Sequence, residues 1–277
     1  MPRRTQRWLV RFLVLACVLA CVLIVLEQLI PAIESRLVFF PAAGEEATPG
    51  ALGIPYRRVW LRTSDDERLV AWQFEPENPV ADVVYFHGNG GNLSMWLPVL
   101  AHLHRHRLRV LAVDYRGYGL SSGTPSEAGL YRDAEAAVRH ARTDHAGDRP
   151  LVYWGRSLGG PVAAAATHVV KPDGLVLEGS FPDKAAVIRR QPLLRVLNVF
   201  ATYRFPTLEH LHGFDRPVLV MHGDRDSVIP FALGQELFDR LEGPKTFATI
   251  RGGDHNDAVD AADRGYWDPV LAFVGGL

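Results

Sequence analysis

The chain has 277 residues, 48% of them hydrophobic, and a formal net charge of -1. This composition argues for a globular body with a sizeable core, and the missing basic excess excludes a nucleic-acid partner. Both cysteines, Cys17 and Cys21, fall in an N-terminal apolar run, which leaves the rest of the chain without disulfides or cysteine metal ligands.

Residues 1–7 are basic, and Arg3, Arg4, Arg7 and Arg11 precede a run from Phe12 to Leu26 that carries no charge. That run is about 15 residues, or about 22 Å of helix against a hydrocarbon core of about 30 Å. Trp8 to Val10 and Leu29 to Ile30 extend it, with Arg11 and Glu27 close enough to the ends to snorkel. Residues 8–30 are therefore expected to form one membrane anchor. The arginines favour a cytoplasmic N-terminus and a body on the outer, periplasmic or extracellular side. The alternative is a removed signal, because Val18-Leu19-Ala20-Cys21 resembles a lipoprotein processing site, and a secreted or lipidated product would also face outward.

Residues 31–55 read as a linker, with Pro, Gly, Ala and Glu in no periodic order, and the domain is expected over 56–277. Alternating runs at 57–62 and 68–74, separated by Thr63-Ser64-Asp65-Asp66, predict an antiparallel hairpin. Apolar strands follow at 82–86, 109–114, 151–155, 174–178, 217–221 and 245–250. Helices are expected between and after them at 92–105, 126–145, 158–170, 231–242 and 263–275. This alternation predicts an α/β fold with a mostly parallel eight-stranded sheet covered on both faces. Residues 182–213 interrupt the pattern with an apolar-basic stretch, expected to be a small helical cap.

The chemistry concentrates on the loops after these strands. Gly155-Arg156-Ser157-Leu158-Gly159 follows the strand Leu151 to Trp154 and precedes the helix-forming Pro161 to Ala166, the setting of a nucleophile elbow. Ser157 is the candidate nucleophile. Its two glycines suit a strained turn, and the helix that follows aims free amides and a positive dipole end at developing negative charge. A serine needs a base, and His255 lies in Arg251-Gly252-Gly253-Asp254-His255, just past the last strand, where open α/β sheets place their ligands. Met221 to Asp226 offers two carboxylates to orient that imidazole. Asp226, placed beyond the turn, is preferred, and Asp224 reads as a partner of loop amides. The Gly-rich loop His87 to Asn92 ends the first strand of the alternating series, where a second oxyanion donor belongs. The amides of Asn89 and Leu158 are the expected pair. A phosphate-cradling loop is disfavoured because no Gly-Lys-Ser follows.

Asp114 and Arg116 flank a glycine turn and are expected to pair with each other. His102, His104 and His106 stand at i, i+2 and i+4, where only the outer two share a helix face, so no metal site and no cofactor is expected.

Five strings, His87-Gly-Asn-Gly-Gly-Asn92, Asp114-Tyr-Arg-Gly-Tyr-Gly-Leu-Ser121, Gly155-Arg-Ser-Leu-Gly159, His222-Gly-Asp-Arg-Asp226 and Gly253-Asp-His-Asn256, resemble the α/β-hydrolase-domain proteins. The likeness is to their small-cap, often membrane-attached serine hydrolases, the serine aminopeptidase and depalmitoylase-like branch. It implies the α/β-hydrolase fold and a Ser157, Asp226, His255 triad in that chain order, cleaving an ester or thioester of a lipid or acylated protein. Asp254 departs from the family's alanine or glycine before the histidine, and the cysteine-rich N-terminus of the eukaryotic depalmitoylases is missing. A peptidase of the same fold and a silent binding scaffold are the alternatives.

Overall fold

The computed structural model describes residue 8 and residues 11–21, 34–145, 147–190 and 202–277, apart from the side chains of 258–264. The hairpin strands β1 (Arg57–Arg62) and β2 (Arg68–Phe74) open the sheet. They are followed by β3 (Ala81–Phe86), β4 (Leu108–Val113), β5 (Leu151–Arg156), β6 (Gly174–Glu178), β7 (Val218–Gly223) and β8 (Lys245–Ile250). Together they form one 8-stranded sheet in the order β1-β2-β4-β3-β5-β6-β7-β8. β2 is antiparallel to β1 and β4, and every other neighbour pair is parallel.

Burial explains the two strand patterns. The inner strands β3 to β7 are buried at every position, so they are written as almost continuous apolar runs. The edge strands β1 and β8 keep exposed residues between inward ones. Two apolar clusters, one containing Phe86, Tyr153 and Val162 and the other Tyr85, Trp154 and Trp267, line the sheet. Each fully buried side chain of this size contributes about 1.5–3 kcal/mol.

The chain leaves β3 for β4 on one side and returns to β5 on the other. The crevice between the carboxyl ends of β3 and β5 is the switch point where such sheets place ligands. Helix Gly159–Ala166 leaves β5, and its glycines and alanines let it approach the sheet closely. Helix Glu127–Asp144 starts as expected, with the Ser126 hydroxyl accepting from Gly129 N–H at 3.1 Å. The last helix, Ala258–Gly275, begins five residues earlier than the apolar pattern predicts.

Two expectations look different in the structure. Residues 40–55 are not a free tether. Phe40–Pro41 pair in parallel with Gly90–Gly91, Ala42 N–H donates to Gly91 O at 2.8 Å, and Trp72 Nε1 donates to Glu45 Oε1 at 3.0 Å. Backbone pairing needs no side-chain pattern, so composition alone reads this stretch as a linker. The second difference concerns Asp114 and Arg116, which do not pair with each other. Arg116 bridges Asp133 (2.9 Å) and Asp65 (2.8 Å), while Asp114 accepts from Leu93 N–H at 2.9 Å and faces His87 Nε2 at 3.5 Å.

Of the expected anchor at 8–30, residues 8 and 11–21 are helical, and residues 9, 10 and 22–30 lie outside the described ones. Among the described residues no helix is long and apolar enough to cross a membrane. The expected cap contains helices Lys184–Arg190 and Thr207–His210, with 191–201 outside the described residues.

Candidate active site

At the end of β5 the chain turns through Ser157, whose φ of 52° lies in the left-handed region. A non-glycine residue held there costs on the order of 1–3 kcal/mol, so its surroundings must hold it. They do: Ser157 N–H donates to Glu178 O at 2.8 Å, and Gly160 N–H donates to Ser157 O at 2.9 Å. The flanking glycines are sterically required. A Cβ on Gly155 would stand 2.2 Å from Gly159 O, and one on Gly159 would stand 2.0 Å from Phe86 O.

The structure brings the three residues expected from the sequence into one run of hydrogen bonds. Ser157 Oγ lies 3.0 Å from His255 Nε2, and His255 Nδ1 lies 2.7 Å from Asp226 Oδ2. A carboxylate only accepts, so Nδ1 carries the proton and Nε2 is left to accept from the serine hydroxyl. The other oxygen of Asp226, Oδ1, accepts from the N–H groups of Val228 (2.9 Å) and Ile229 (2.7 Å) and is fixed by its own turn. Burial pushes the Asp226 carboxyl up, but hydrogen bonds from His222 and His255 outweigh it and hold the group well below its ordinary value. Asp224 takes the other part, accepting from Gly252 N–H at 2.7 Å.

His222 was not singled out by sequence reasoning, although it opens the string His222-Gly-Asp-Arg-Asp226. Its Nε2 lies 2.8 Å from Ile229 O and 3.3 Å from Asp226 Oδ2, so it braces the carboxylate and its turn together. Asp254, the departure from the family pattern, ties two loops together. Its Oδ1 accepts from Ser227 N–H (2.7 Å), Ser227 Oγ (2.8 Å) and His255 N–H (2.6 Å). The Ser227 amide first, then the His255 amide and the Ser227 hydroxyl, keep its pKa below the usual range.

Across the crevice, neither Asn89 nor Leu158 N–H has a backbone acceptor among the described residues. Asn89 is held from both sides: its Nδ2 donates to Val38 O at 2.5 Å, while the Tyr118 hydroxyl is shared between Asn89 Oδ1 and its main-chain carbonyl, each at 3.0 Å. Trp96 stacks over His87 at 6.1 Å and crowds Gly88, where an added Cβ would stand 2.9 Å from its ring. A cavity of about 430 Å³ lies in the cap, lined by Pro182 to Ala185 and Tyr203 among others, and takes in none of Ser157, Asp226 and His255.

Among the described residues no group of three or more His, Cys, Asp or Glu could hold a metal ion. His102 and His106 instead stack on Trp267, at 5.7 and 4.3 Å, and His104 packs on Phe74 at 5.8 Å.

Comparison with known proteins points to the same fold. A family model described as alpha/beta hydrolase fold matches residues 83–210. An alpha/beta hydrolase domain-containing protein of Arabidopsis thaliana is 30% identical over 274 residues, covering 89% of this chain and 89% of its own. An uncharacterized membrane protein of Saccharomyces cerevisiae is 32% identical over 256 residues, 87% of this chain and 88% of its own. An esterase of Pyrococcus furiosus shares the fold with a TM-score of 0.70 at 20% identity, over 86% of this chain and 97% of that one. Strand order, elbow and relatives lead to one assignment: the chain belongs to the α/β-hydrolase family.

Proposed function

We propose that this protein is a serine hydrolase that cleaves an ester or thioester of a lipid or acylated protein through an acyl-enzyme. The observation that carries the reading is the run Ser157 Oγ, His255, Asp226, with distances of 3.0 and 2.7 Å already suited to proton transfer. Ser157 attacks the carbonyl carbon while His255 Nε2 takes its proton, and the Asp226 carboxylate holds the imidazole and steadies its positive charge. The carbonyl oxygen becomes an oxyanion facing the amides of Leu158 and Asn89 at the positive end of helix Gly159–Ala166. His255 then returns the proton to the leaving alcohol or thiol. A water, deprotonated by the same nitrogen, releases the acid and restores Ser157. No metal or organic cofactor enters any of these steps.

The reading includes attachment to a membrane through residues 8–30, with the N-terminus cytoplasmic and the hydrolase domain outside. The charge-free run behind four arginines supports it, and so does the yeast relative named a membrane protein. An apolar environment suits acyl substrates.

The test is hydrolysis of p-nitrophenyl esters from acetate to palmitate by the full chain beside Ser157→Ala. The variant is expected to lose on the order of 10⁶-fold in kcat. Equal rates would overturn the assignment of the nucleophile, and cleavage of peptide amides in preference to every ester would move the substrate class to the peptidase alternative.

A further inference from the structure

The residue before the nucleophile in the elbow, Arg156, is buried at 2% exposure and takes no part in the steps above. A buried guanidinium is costly, and an ion pair in the interior is weak evidence of stabilisation, so its contacts show what it does there. Its Nη1 lies 3.1 Å from Glu178 Oε1 on the neighbouring strand, where the two residues are in register. Its Nη2 donates to the main-chain carbonyl of His255 at 2.6 Å. The guanidinium carbon stands 5.1 Å from the Trp96 ring centroid, and Glu178 Oε2 accepts from Trp154 Nε1 at 2.9 Å, so both charges are walled in by aromatic rings.

These contacts close a circuit. The Glu178 carbonyl accepts from the N–H of Ser157, its carboxylate holds Arg156, and Arg156 holds the carbonyl of His255. Nucleophile and base stand on loops 98 residues apart in sequence, and the histidine's loop carries Gly252 and Gly253, which by themselves leave the chain free to swing. Resting on the serine-hydrolase reading above, we propose that Arg156 is a positioning residue. Its charge-assisted bond to the His255 carbonyl, aimed by Glu178, sets the distance between His255 Nε2 and Ser157 Oγ. The pull on the histidine falls on its main chain, so its ring stays free to pass the proton.

The experiment compares the full chain with Arg156→Gln, Arg156→Lys and Arg156→Ala on one p-nitrophenyl ester. Kinetics are read together with the low-field proton resonance of His255 Nδ1–H and the circular dichroism spectrum. A misplacement of about 1 Å costs about 100-fold, so kcat is expected to fall by about 10- to 100-fold in Arg156→Gln with KM within about twofold. The low-field resonance is expected to shift or broaden. Millimolar guanidinium is expected to restore part of kcat in Arg156→Ala, and urea at the same concentration is not. Wild-type kcat with an unmoved resonance in Arg156→Gln overturns the proposal. Should that variant not fold, Arg156→Lys decides, because it keeps the charge but offers one nitrogen where Arg156 uses two. A lowered kcat at unchanged KM supports the proposal, and wild-type kcat overturns it. Activity lost in Ser157→Ala but kept in every Arg156 variant defeats this inference alone, whereas activity kept in Ser157→Ala defeats the reading beneath it.

Discussion

Asp226 is tied down at both oxygens, one by two amides of its own turn and the other by His255 and His222. Asp226→Asn would put an amide against His255 Nδ1 and favour the wrong tautomer, so kcat is expected to drop by about 10⁴-fold at neutral pH. Steady-state kinetics check this, and a drop under tenfold would contradict the assigned orienter. With its folded-state pKa depressed below the unfolded one, the Asp226 carboxyl contributes stability that is complete above about pH 4 and lost as pH falls through the folded value. Below about pH 4 the wild type is therefore expected to lose stability more steeply than Asp226→Asn, read from urea midpoints. Gly159 makes a steric prediction. An alanine would drive its Cβ to 2.0 Å from the Phe86 carbonyl, and the overpacking is expected to cost about 1–3 kcal/mol in urea unfolding together with activity.

At the scale of elements, the loop after β3 is held by a strap of chain that precedes the hairpin. The Glu34 carboxylate accepts from the N–H groups of Thr202 (2.7 Å) and Tyr203 (3.0 Å) and from Lys184 Nζ (3.4 Å), which are cap residues. A few residues on, the Val38 carbonyl accepts from Asn89, and Phe40–Pro41 pair with Gly90–Gly91. Phe39 adds edge contacts to Tyr203 and Phe205 at 5.5 and 6.2 Å. The strap thus spans the cap and the loop after β3. A chain starting at Glu34 is expected to keep kcat, and one starting at Tyr56 to lose at least about tenfold with a lower urea midpoint, as positioning donors to within a fraction of an ångström requires. Equal kinetics in the two would show the strap to be passive. Hairpin and sheet were legible because burial writes directly into periodicity: 57–62, 68–74, 174–178 and 245–250 are the observed bounds of β1, β2, β6 and β8. The strap was not, because its hold is made by backbone groups, one buried glutamate and a single phenylalanine, which leave no periodic pattern. Arg156 and Glu178 were similarly silent. A charge at the end of an apolar strand reads as a strand terminus until the register Arg156↔Glu178 puts the two side by side.

For the molecule as a whole, strand order places the candidate site. The switch between β3 and β5 sets the loop after β3 beside the elbow, and the loops after β7 and β8 deliver Asp226 and His255 to the same end of the sheet. Motif spacing made Ser157, His255 and Asp226 readable because each stands just past a recognisable strand. The packing beneath them, His222 and Arg156 above all, depends on neighbours distant in sequence and emerged only with the fold. If residues 8–30 anchor the chain, the full protein is expected to stay with membranes through a carbonate wash while a chain starting at Glu34 is released. Release of both would contradict the anchor. The central claim is that Ser157 is an activated nucleophile, and its most direct measurement is reaction of the full chain with a fluorophosphonate, the adduct located by mass spectrometry. The account predicts a single adduct on Ser157, lost in Ser157→Ala and slowed in Asp226→Asn. An unlabelled wild type, or an adduct on another residue, would contradict it.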